Sequence, residues 1–161
     1  DRRQRQMCRR DSADFAVGPS VSGYEARFAG VGCAYGSQKQ TRTEISTTGT
    51  EIIAGSVAAT IIMLLRNVFD EFGFPQRQPT TLYMDNKAAV ALAQNPHSNH
   101  KTKHLARRHI YLRECVEHGE IAVKTIPTDY NVSDMFTKAL EPKKFRLFRA
   151  AIMNLPIASL A

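Results

Sequence analysis

Three acids stand where the packing of a core has no use for them. Glu51 falls at the start of a long run with helical apolar periodicity, in what reads as its first turn. Asp85 directly follows the β-branched and aromatic stretch TTLYM, and Asp134 falls at or near the start of another helical run. In α/β proteins functional groups gather beyond the carboxyl ends of the strands. Carboxylates grouped there repel one another unless a cation sits between them. Hard divalent ions such as Mg2+ take carboxylate oxygens. Two such ions about 4 Å apart can activate a water and stabilise the leaving oxygen of a phosphodiester. Each acid also has an ordinary use: Glu51 as a favourable charge near a helix N-terminus, Asp85 with Asn86 as a cap, Asp134 as a first-turn acid. Spacing alone leaves both uses open.

A second constellation is basic. Lys101, Lys103, Arg107 and Arg108 are interleaved with His100, His104 and His109, and no acid interrupts them. Such a run can lie against phosphates and make affinity fall steeply with salt, or it can be a solvated helix face. His100 and His104 have the i,i+4 spacing of a zinc pair, but Lys101 follows where a metalloprotease carries Glu, and no compact ligand set is present. Cys8, Cys33 and Cys115 form no disulfide framework and read as free thiols of a reducing compartment.

The elements that must carry these residues follow from the patterning. Val21–Phe28 and Val31–Tyr35 are short apolar-rich runs punctuated by Gly23, Gly30, Gly32 and Gly36, which suggests strands joined by turns. Ser46, Thr47 and Thr48 offer helix caps, after which Ile52, Ile53, Val57, Ile61, Leu64, Leu65, Val68 and Phe72 recur at three- and four-residue steps. Gly73 can close that helix and Pro75 forbids its continuation. Thr80–Met84 reads as a buried strand, KAAVALAQ as a helix, and about 103–117 as another. Ile121–Ile126 alternates as a strand. A helix through Asp134 to Leu140 and a last one from about Pro142 complete the order. The class is mixed α/β, with helices packed on a sheet.

Composition fits one domain: 161 residues, 43% hydrophobic and 23% charged. The net charge of +7 favours an acidic polymer as partner. Five arginines against Asp1 place +4 of it in the first ten residues. Residues 1–19 therefore read as a basic, poorly ordered segment, and 20–161 as the folded domain. The most apolar stretch, Ile52–Leu65, falls short of the ~20 residues of a membrane span, and no secretory signal is evident. No membrane partner is expected. Opening on Asp1 rather than Met suggests a piece of a longer product.

Four segments together resemble one family. GSQKQTRTEISTTGTEIIAG is similar to the segment around S-S-T-E-A-E-Y-I-A in the ribonuclease H domain of Ty1/copia-type retrotransposon Pol polyproteins. TTLYMDNKAAVALAQNP resembles Y-C-D-N-Q-S-A-I-A-L-A-x-N-P of that family. HKTKHLARRHIYLRE resembles R-T-K-H-I-D-I-R-Y-H-F-I-R-E, and GEIAVKTIPTDYNVSDMFTKAL resembles G-x-I-x-L-x-Y-I-P-T-x-x-Q-x-A-D-I-F-T-K-A-L. They occur in the family's order from about Ser20 to the end. The resemblance implies a ribonuclease H-like mixed sheet flanked by helices, and Mg2+-dependent two-metal cleavage of the RNA strand of RNA–DNA hybrids. It also implies the reverse transcriptase domain of the same polyprotein as neighbour, and a cytoplasmic virus-like particle as location. It assigns Glu51, Asp85 and Asp134 as catalytic metal ligands. Lys101, Lys103, His104, Arg107 and Arg108 become the candidate nucleic-acid contacts.

The departures carry equal weight. Gly49 replaces the first Glu of S-S-T-E-A-E, and Ala106 the Asp of K-H-I-D. The first catalytic Asp belongs in a strand resembling Y-S-D-A-D-W-A-G, where RDSADFAVG puts Ser12, with Asp11 and Asp14 as neighbours. A one-residue slip turns a side chain to the other face of a strand. The stretch ahead is arginine-rich, so the first strand is expected to be damaged or missing. Activity is expected to be impaired, the alternative being a catalytically dead nucleic-acid-binding remnant.

Overall fold

The computed structural model describes residues 5–9, 20–40, 46–95 and 106–155. A five-stranded sheet runs in the order β3-β2-β1-β4-β5. Its strands are β1 (Arg5–Arg9), β2 (Val21–Phe28), β3 (Val31–Lys39), β4 (Thr80–Met84) and β5 (Ile121–Thr125). β1 is antiparallel to β2 and parallel to β4, and β4 is parallel to β5. The helices are α1 (Thr47–Glu71), α2 (Lys87–Gln94), α3 (Ala106–Glu117) and α4 (Pro142–Ile152).

A first strand is therefore present at the centre of the sheet, so of the expectation that it is damaged or missing only the second alternative fails. It is short, five residues reading RQMCR, and it lies ahead of the RDSADFAVG segment that contains Ser12. Its arginines hid it, because strand signals in sequence come from apolar and β-branched residues. Neighbours on both sides recruit this backbone regardless: β2 pairs from Arg5↔Arg27 to Arg9↔Gly23, and β4 from Arg5↔Thr81 to Cys8↔Met84. Within residues 1–19 the described stretch is 5–9, which forms β1.

α1 starts where the caps suggest. Ser46 Oγ accepts from the Gly49 N–H at 3.0 Å. The helix ends at Phe72, and Gly73 follows at φ +80°, a conformation an L side chain resists. Its buried face differs from the large-residue stripe of the sequence. Ile52, Ala54, Ala58, Ala59 and Ile62 are buried, whereas Leu64 and Phe72 are 57% and 74% exposed. Small residues win because the helix lies close to the sheet: a Cβ on Gly55 would stand 3.0 Å from Met84 Cε. Among the described residues α1 alone is long and apolar enough to cross a membrane by length and composition. Burial of its first half in the core accounts for that apolarity.

The main core lies between α1, α2 and α3 and one face of the sheet, centred on Ile52, Ile62, Leu82, Met84 and Leu112. A smaller cluster, Val132 and Phe148 with Tyr83, Ile126 and Ile152, seals the other face. The expected helix through Asp134 to Leu140 is instead two 3-10 turns, Thr128–Tyr130 and Val132–Phe136. Gly23 and Gly36 lie inside strands rather than at turns. The β2–β3 turn is Ala29-Gly30, both at positive φ.

Candidate active site and its relatives

The ordinary uses of two acids fail on placement. Glu51 sits beyond the first turn of α1, which contains no acid, and it is buried at 3% exposure. Dipole stabilisation falls off within that first turn. Asp85 is not the cap of α2. Asn86 is, its Oδ1 accepting from the N–H groups of Ala88 and Ala89 at 3.0 and 3.1 Å. Asp134 does lie in the first turn of its 3-10 segment, but it is wholly buried, unlike a solvated capping acid.

One segment links the strand end carrying Asp85 to the turn carrying Asp134. Just past β5 the chain still runs beside the end of β4, the Ile126 N–H donating to the Met84 carbonyl at 2.9 Å. Asn131, fully buried, then donates from Nδ2 to Asp85 Oδ2 at 3.4 Å and accepts at Oδ1 from Ser133 Oγ at 2.7 Å. The Asp134 N–H returns to the Asn131 carbonyl at 3.2 Å. Asn131 thus ties the strand end carrying Asp85 to the turn carrying Asp134. Sequence reasoning missed it, although a side-chain amide three residues ahead of an acid, one 3-10 turn away, was a usable signal.

Glu51 arrives by another route. Gln40, at the end of β3, donates from Nε2 to Ser22 Oγ at 2.8 Å and to the Thr50 carbonyl at 3.2 Å. This fixes the start of α1 against the start of β2. The next residue of β2, Gly23, is covered by the Asp134 turn: a Cβ there would lie 2.8 Å from the Ser133 carbonyl oxygen and from Thr137 Cγ2. Successive strand residues face opposite sides, so the elements bearing Glu51 and Asp134 meet β2 at neighbouring residues from opposite faces.

Among the described residues the donors do not complete a metal site, since no group of three or more His, Cys, Asp or Glu side chains there could hold a metal ion. β1 ends alongside the end of β4, from which Asp85 emerges, and its residues RQMCR include no carboxylate. Asp134 Oδ2 already has the Lys138 ammonium at 3.4 Å. Among the described residues these side chains do not by themselves supply the donors for a pair of magnesium ions.

Of the candidate nucleic-acid contacts, Lys101, Lys103 and His104 lie outside the described residues, as do Asp11, Ser12 and Asp14. Arg107 and Arg108 fall in the first turn of α3. A further acid was not foreseen. Glu25 in β2 is fully buried and accepts from Arg27 Nε at 2.6 Å. Burial pushes its carboxyl above the ordinary value of 4.5, against the charge and hydrogen bond of Arg27.

No family model matches the chain. It is 30% identical, over 83% of its length, to the retrovirus-related Pol polyprotein from transposon TNT 1-94 of Nicotiana tabacum. It is 26% identical, over the same share, to the corresponding polyprotein from transposon RE1 of Arabidopsis thaliana. The match spans about a tenth of these relatives' lengths, 10% and 9%. In fold it is similar to the N-terminal RNase H domain of a Mycobacterium tuberculosis protein, with a TM-score of 0.63, 13% identity, and 96% and 99% of the two chains covered. RNase H1 of Halobacterium salinarum gives a TM-score of 0.58 at 17% identity, covering 84% and 94%. Sheet order, helix placement and these likenesses agree: the chain is homologous to a segment of Ty1/copia-type retrotransposon Pol polyproteins and has a ribonuclease H-like fold.

Proposed function

We propose that the chain is a nucleic-acid-binding ribonuclease H-like domain of a copia-type Pol polyprotein that no longer hydrolyses its substrate efficiently. One observation carries this reading: the strand beside Asp85 is RQMCR and contributes no carboxylate. A two-ion reaction needs acids on several elements to hold both ions, and a misplacement of about 1 Å can cost ~10²-fold in rate. Glu51, Asp85 and Asp134 are what a hydrolytic ancestor would leave behind.

The partner in this reading is an RNA–DNA hybrid, held through its phosphates by the excess of positive charge. The reverse transcriptase domain of the same polyprotein is its covalent neighbour, within a cytoplasmic virus-like particle. Binding is tested by fluorescence anisotropy on a labelled hybrid across a salt series. Lys and Arg contacts to phosphate release counterions, so log affinity falls linearly with log salt. Replacing Arg107 and Arg108 together by Gln is expected to weaken binding and to reduce the salt slope by about 2. An unchanged slope would remove those arginines from the interface.

A further inference from the structure

We infer that the apolar face at the end of α1 is the surface by which this domain docks on the reverse transcriptase domain of the same polyprotein, an inference that rests on the proposed function for the identity of that neighbour. Leu64, Val68 and Phe72 recur at four-residue steps along α1 and form one exposed stripe. Phe74, just past the helix, adds another ring at 64% exposure. A cleft of about 610 Å3 opens here, lined by Phe74 and Pro75 of the loop after α1 and by Phe28 and Ala29 at the β2–β3 turn.

The loop that presents Phe74 is pinned in place. Arg66 Nη1 donates to the Gln78 carbonyl at 2.9 Å and to Thr80 Oγ1 at 3.0 Å, and its Nη2 donates to the Gln76 carbonyl at 2.7 Å. Gln76 Nε2 in turn donates to the Phe74 carbonyl at 2.9 Å. Phe28 stacks on Phe69 of α1 with ring centroids 4.2 Å apart. A partner therefore meets aromatic anchors whose backbone is already ordered, which lowers the cost of docking.

The path of the chain points to what covers this face. β1 begins at Arg5, opposite Arg27 and Thr81. α4 ends at the same rung: Gly32 pairs with Arg27, and a Cβ on Gly32 would stand 3.2 Å from the Ile152 carbonyl oxygen. Phe28 of the cleft is the next residue of β2 after Arg27. The first strand and the last helix thus both reach the end of the sheet that bears the apolar face, and the matched Pol polyprotein extends far beyond the 10% this chain spans. A covalently tethered neighbour acts there at high effective concentration. Asp70 and Glu71 are exposed beside Phe72, which disfavours nucleic acid as the occupant. Asp85 follows the opposite end of β4, about 15 Å away at ~3.3 Å per strand residue, so docking leaves that end open to a hybrid.

The test is hydroxyl-radical labelling read by mass spectrometry, without nucleic acid, on this chain alone and on a polypeptide in which the reverse transcriptase domain is joined to it as in the polyprotein. Labelling of Phe72 and Phe74 is expected to fall several-fold in the joined polypeptide. Tyr130, exposed in the turn before Asn131, is expected to keep its rate. Leu64→Glu, which sets a charge in the stripe, is expected to return both phenylalanines to their rate in the chain alone. Unchanged labelling of Phe72 and Phe74 on joining, equal protection of Tyr130, or protection that persists in Leu64→Glu would overturn the inference. Protection that grows in the chain alone as its concentration rises would assign the face to a second copy and overturn it as well. The wild-type comparison needs no variant, so it stays decisive if Leu64→Glu does not fold. Hybrid binding and its salt slope are read separately through Arg107 and Arg108, so the functional reading and this one fail separately.

Discussion

At the scale of single residues, the sheet places its charges at some expense to stability, and Glu25 shows this most simply. Its Oε2 and the Nη2 of Arg27 are buried without a hydrogen-bond partner among the described residues, although Oε1 and Nε are joined. The folded-state pKa is raised, with burial the leading cause. A raised pKa means that the carboxyl favours folding while protonated, and that this contribution is lost as pH rises through the folded value. Glu25→Gln is therefore expected to melt above the wild type at pH 7 to 8. The difference should shrink toward zero as pH falls toward 4.5, the ordinary carboxyl value. Paired melting curves across that range check it, and a gap that widens at low pH would contradict it. Little of this was legible beforehand. An acid between Tyr24 and Ala26 in an alternating strand looks solvent-facing until α4 and the Asp134 turn cover the second face of the sheet.

At the scale of elements, the site depends on how closely the Asp134 turn seats on β2. Gly23 makes that approach possible, because a Cβ there would meet the Ser133 backbone oxygen at 2.8 Å, and backbone cannot rotate aside. Gly23→Ala is expected to lower folding stability by about 2 kcal/mol through overpacking, measured as a lower denaturant midpoint with an unchanged slope. A wild-type midpoint would show that the turn does not rest there. In sequence Gly23 looked like punctuation, since a glycine used for close approach and one used for a turn are the same letter. Long or strongly patterned elements were legible: α1 with its Ser46 cap, β4, α2 with its Asn86 boundary, and β5. β1 was not, because it is held by pairing on both edges rather than by its own composition. The 3-10 turns were not either, since a short acid-led segment with apolar residues resembles the first turn of an α-helix.

At the scale of the whole molecule, ancestry and architecture were legible, while the tertiary relations within the candidate site were not. Four motifs in order led to the polyprotein family, and the ribonuclease H-like likeness covers most of the chain. The motifs also identified Glu51, Asp85 and Asp134 as residues to follow. They could not show that Asp85 and Asp134 are joined through Asn131, or that Lys138 reaches the latter. Those are tertiary relations between residues that any one motif presents singly. A net charge of +7 favours a polyanionic partner for this fold, as the proposed function has it. The most direct measurement is single-turnover cleavage of a labelled RNA–DNA hybrid in Mg2+ and in Mn2+, comparing the wild type with Asp85→Asn. A domain that binds without efficient hydrolysis gives the same background for both proteins, while hybrid cleavage by the wild type that Asp85→Asn abolishes would contradict it.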